Sequence, residues 1–166
     1  MKTLFRSVFL LSVFVFFAAC NRGPSEEEIN KYLDAVAKQE NDVLLKLNDL
    51  IDAYDAYNND SGEIEKAYNA VYKQLKQSKD SINNLKVFND DDILKPSALR
   101  FFEQIKSLLD NEHKRIVELY KLPAEKFQDK EEKELEQLRD LANQKSDTIM
   151  TQAENAYQLF EDKYTK

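Results

Sequence analysis

Glycine and proline are nearly missing, at two and three residues in a chain of 166. A many-stranded fold needs such residues at hairpin after hairpin, so β architectures are excluded. One cysteine, Cys20, cannot close an internal disulfide, and one histidine, His113, cannot build with it the Cys/His cluster of a zinc or iron site. The chain has no glycine-rich phosphate loop and no nucleophile motif. Basic residues number 24 against 31 acidic ones and form no stripe. That excludes nucleic acid as a partner and any attraction to anionic lipid through charge.

The first twenty residues are of a different kind. Lys2 and Arg6 precede an apolar run from Val8 to Phe17, which ends in Ala18, Ala19 and Cys20. This is a charged start, a short hydrophobic region and a small-residue cleavage site, the layout of an export signal. The run is about half the ~20 residues that cross a hydrocarbon core, so it is not read as a permanent span. Phe17-Ala18-Ala19-Cys20 resembles the lipobox of bacterial lipoproteins, with Phe where Leu is commoner. The resemblance implies removal of residues 1–19 and lipidation of Cys20 by a diacylglyceryl thioether. Each buried CH₂ adds roughly 0.8 kcal/mol, so two or three acyl chains hold a protein firmly on its membrane. Asn21, by resemblance to the sorting rule of two-membrane bacteria, implies the outer membrane. Ser25-Glu26-Glu27-Glu28 is similar to acidic signals that carry some lipoproteins to the cell surface.

Removing the leader takes Lys2 and Arg6 with it, leaving 22 basic and 31 acidic residues in 147, a net charge of −9. Residues 20–24 are expected to be a lipidated tether, and residues 25–166 one all-α domain. Ser25 and Glu28 form a capping box at its start. Ile29, Leu33, Val36, Glu40, Val43, Leu47, Leu50, Tyr54 and Tyr57 then alternate steps of four and three, the 3.5-residue repeat of packed helices. The same stepping recurs from Ile64 to Leu85, from Phe102 to Leu119 and from Leu135 to Tyr164. The expectation is an up-down-up-down antiparallel four-helix bundle with helices at about 25–58, 63–85, 97–121 and 129–164. Pro96 is expected to keep Lys95 out of the third helix. Val87, Phe88, Ile93 and Leu94 flank an acidic loop and are expected to cover the seam near Ile29, Tyr32, Tyr157 and Phe160.

Candidates for chemistry are few. Glu40 and Glu112 fall on seams of different helices, as partly exposed acids, as a polar layer with Lys145, or as an acid/base pair. The Glu-x-x-His motif of di-iron bundles is absent. His113 and Met150 are the residue types that clasp haem in some four-helix cytochromes, but His113 lies one residue off the seam between Glu112 and Lys114 and is expected at a solvated boundary. Asp90, Asp91 and Asp92 lack the spacing and glycine of a calcium loop and are expected to be solvated while capping nearby structure. The tyrosines lie mostly on or beside the seams and are expected in the core with their hydroxyls at its edge; any left outward at the tip, Tyr57 foremost, is a candidate for a partner surface. No catalytic residue, cofactor or metal is assigned.

Leu44 to Tyr57, Val87-Phe88-Asn89-Asp90 and Ala156-Tyr157-Gln158-Leu159-Phe160 make the chain similar to an uncharacterised family of helical bacterial surface lipoproteins. The resemblance implies no catalytic residues. The function expected is that of a non-enzymatic, lipid-anchored envelope or surface protein, presenting its bundle to a protein partner or as a spacer. The alternative is a periplasm-facing carrier with a small hydrophobic ligand between its helices.

Overall fold

The computed structural model describes residues 24–57 and 61–164. The leader, Cys20 and residues 58–60 lie outside the described residues, as does the lipidation expected at Cys20. The fold is an all-α helical bundle: α1 (Glu26–Asp55), α2 (Gly62–Asn84), α3 (Leu94–Leu108), α4 (Lys114–Tyr120) and α5 (Asp129–Tyr164). A π turn, Leu109–His113, joins α3 to α4 in one rod, and a short 3₁₀ turn, Ala124–Lys126, precedes α5. None of the described helices is long and apolar enough to cross a membrane.

α1 starts where its cap is. Ser25 Oγ accepts from the Glu28 backbone N–H at 3.3 Å, and the Glu28 carboxylate accepts from Ser25 N at 2.9 Å. Two otherwise orphaned donors are thereby satisfied. Downstream, Ile29, Tyr32, Val36, Glu40, Val43, Leu47, Leu50 and Tyr54 are buried. This is the expected stripe with Tyr32 in place of Leu33.

The α3–α4 rod is the centre of the bundle, because it packs against α1, α2 and α5. Enclosure on several sides buries neighbouring pairs, Phe101 with Phe102, Leu108 with Leu109, Ile116 with Val117 and Leu119 with Tyr120. Its pairings with α2 run in opposite order along the two segments, from Lys121 with Glu65 to Glu103 with Lys79. Pairings with α5 do the same, from Arg115 with Glu134 through Glu112 with Lys145 to Gln104 with Gln152.

Between α2 and α3, the acidic loop is built on one residue. Asp91 is only 7 % exposed, which corrects its expected solvation. Its carboxylate accepts from the backbone N–H groups of Ile93, Leu94 and Lys95 at 2.8–2.9 Å and from the Tyr32 hydroxyl at 3.0 Å. The cap also corrects the expected helix start. Pro96 lies inside the first turn of α3, where its missing N–H leaves no donor unsatisfied. Asn89 and Asp90 make the turn into this cap with positive φ, 40° and 57°, as their short polar side chains allow. Phe88 stacks on Tyr32 and meets Phe160 and Tyr164, with ring centres 5.2–5.8 Å apart. Leu94 is buried and Phe88 and Ile93 pack against the core, but Val87 is 48 % exposed and does not cover the seam as expected.

Candidate functional site

The π turn gathers the unusual polar groups. The Lys114 N–H reaches back five residues to the Leu109 carbonyl, which also accepts from the Tyr68 hydroxyl at 3.3 Å. Such single turns carry one residue more than the α ladder allows and recur at functional sites. The residues carried inward here are Glu112, 6 % exposed, and His113, 3 % exposed.

His113 is therefore not at a solvated boundary. The seam reading assumed one facing neighbour, whereas a central rod buries the adjoining position too. The Tyr54 hydroxyl lies 3.1 Å from Nδ1 in a hydrogen bond whose direction follows the imidazole tautomer. The Tyr54 ring stacks between the imidazole and the Tyr120 ring, at 5.9 and 5.4 Å. Burial pulls His113 down to about 4 against the opposing influence of Glu112, so the imidazole is neutral near pH 7. Tyr57 closes this stack: its hydroxyl donates to the Tyr120 carbonyl at 3.1 Å and its ring lies 4.7 Å from that of Tyr120. The foremost candidate for an outward tyrosine, it packs along the seam instead, where a phenol finds both an apolar face and a backbone acceptor.

Glu112 is buried, not partly exposed. Its Oε1 accepts from Lys145 Nζ at 2.5 Å. The lysine is about half exposed while the acid is not. Oε2 is buried with no hydrogen-bond partner. Both residues line a cleft of about 410 Å³ between the rod and α5, whose other walls include Gln104, Leu108, Gln144 and Ile149.

Glu40 occupies a second, smaller cleft of about 190 Å³ between α1 and α5, with Leu44, Phe101, Met150 and Ala153 around it. The Tyr157 hydroxyl donates to its carboxylate at 2.8 Å. Burial pushes the Glu40 carboxyl up to about 7, with the Tyr157 hydrogen bond acting the other way. Burial, with the carboxylate beside it, holds the Tyr157 phenol above its ordinary value.

The partners of the two acids, Tyr157 and Lys145, are twelve residues apart on α5, roughly 18 Å at 1.5 Å per residue. The acids are not brought together, and each has its own cleft. Met150 lines the Glu40 cleft, while His113 lies in the π turn against Tyr54. Among the described residues no group of three or more His, Cys, Asp or Glu is placed to hold a metal. The polar layer of Glu112 with Lys145 was legible from spacing. The Tyr157 bond to Glu40 and the burial of His113 were missed, since neither has a signal in the periodicity of its own helix. No family model, curated protein or solved structure matches the chain.

Proposed function

We propose that this chain is a bacterial lipoprotein, exported, cut before Cys20 and held at the outer membrane by lipid on that cysteine. Its bundle acts without catalysis, as a binding or spacer element for a partner in the envelope or at the cell surface. The observation that carries this is Phe17-Ala18-Ala19-Cys20 placed directly behind a short hydrophobic run. Three further features support it. The capped helix opens at Ser25, five residues beyond Cys20. The described helices offer no span of their own. A neutral, stacked histidine and two acids in separate clefts supply no acid/base pair.

The test compares the wild-type chain with Cys20→Ser in the host. Wild type should partition with membranes, lack residues 1–19 and carry a lipid mass increment on its first residue, while Cys20→Ser should lose all three features. An uncut or unacylated wild-type protein sinks the reading. Protease added to intact cells then separates surface display, by cleavage, from the periplasmic face, by protection.

The apolar walls of the Glu40 cleft favour the carrier as a second reading. That cleft falls below the roughly 300–1,000 Å³ of small-molecule sites, so the carrier stands second.

A further inference from the structure

The cleft between the α3–α4 rod and α5 joins three observations that have a common explanation. A π turn carries Glu112 into the interior. The Oε2 of that acid is buried and receives no hydrogen bond from any protein group, an arrangement that costs far more than a satisfied carboxylate. The same residue lines a cleft of about 410 Å³, within the size range of small-molecule sites. A ligand that donates to this carboxylate, turned toward the cleft, relieves that unmet demand.

The walls specify what kind of donor. Glu112 and Lys145 are the charged residues of the lining and already balance each other at 2.5 Å. A cationic ligand would face Lys145 and an anionic one Glu112, each at close range in a partly desolvated site, so a neutral ligand fits best. Gln104, Gln144 and Thr148 offer amide and hydroxyl groups, and Leu108, Leu141 and Ile149 an apolar wall. Alternating hydroxyls and C–H faces match that mixture. We propose that this cleft is a binding site for a small, neutral polyhydroxylated ligand of the sugar or polyol class. One ligand hydroxyl donates to the Glu112 carboxylate while a neighbouring one accepts from Lys145 Nζ. The site goes beyond the lipoprotein reading and does not depend on the anchor.

The experiment is saturation-transfer NMR and calorimetric titration of the folded protein with glucose, N-acetylglucosamine and myo-inositol, and with the methyl glycosides of the two sugars. Free sugars and glycosides separate a soluble ligand from a unit within a glycan. Saturable binding of at least one probe is expected. Glu112→Met, which removes the acceptor, and Leu141→Trp, which fills the cleft from its exposed rim, should each weaken it at least about tenfold, the loss of one hydrogen bond to a charged group. Glu40→Gln, in the other cleft, should leave it unchanged. No binding by any probe overturns the proposal. So does binding that survives both cleft variants, provided circular dichroism shows them folded.

Discussion

Asp91 and Glu112 are buried to the same depth, 7 % and 6 % exposed, and their surroundings are opposite. Asp91 accepts four hydrogen bonds, three from backbone N–H groups where α3 begins, Ile93 to Lys95, and one from Tyr32 across the bundle. Glu112 accepts one, from a half-exposed lysine, and keeps an oxygen without a donor. Burial by itself thus says little about what an acid does. The number of its lone pairs that the protein engages separates a group that holds the fold from a group that waits for something else.

The comparison is tested first where the effect is largest. Asp91→Ala strands three backbone donors and a phenol, and at 1–3 kcal/mol for an unsatisfied buried group, relieved in part by water at the loop, it should cost about 4 kcal/mol. Urea denaturation gives the value, and a loss below about 1 kcal/mol would show that the cap does not hold α3 in place.

Next come two buried groups that titrate in opposite senses. His113 falls from 6.5 to about 4 on folding. The unfolded chain therefore binds the extra proton between those values, and stability from this group is lost as pH drops through the window. Glu40 rises from 4.5 to about 7. Here the folded chain holds the extra proton, and stability is lost as pH climbs from 4.5 to 7. Between pH 4.5 and 6.5 the slopes cancel, so wild-type stability should be nearly flat. Glu40→Gln should unmask a rise of about 3 kcal/mol with pH over that interval, and His113→Gln a fall of similar size. Thermal melts at several pH values decide. Parallel slopes in the two variants would refute the assignment.

The smallest effect is the sharpest contrast with Asp91. Glu112→Met removes an acid whose partner can return to water, so stability should change by less than about 1 kcal/mol and can even increase. A loss as large as that of Asp91→Ala would erase the distinction between the two carboxylates.

Much of this arrangement was legible along the chain and some was not, for identifiable reasons. The stripe on α1 was visible because a helix that buries one face repeats its apolar residues at fixed steps, and Glu40 was visible as the break in it. Pairing between helices lies at a different level. Nothing within Asn89 to Asp92 tells that Asp91, rather than Asp90 or Asp92, meets Tyr32, fifty-nine residues earlier. Pro96 was misread because its effect on Lys95 was weighed without the cap that makes a first-turn proline harmless. His113 was misplaced because a seam describes a helix with one neighbour, and its helix has three.

The π turn also bears on how the chain tolerates change in length. A single such turn is an α-helix with one residue too many, so excising Asn111, which is exposed, would let α3 run into α4 as an unbroken ladder with both flanks still in phase. The shortened protein should keep its core and lose the seat of Glu112. In this segment, an in-frame deletion is gentler on the fold than many substitutions and more damaging to the cleft.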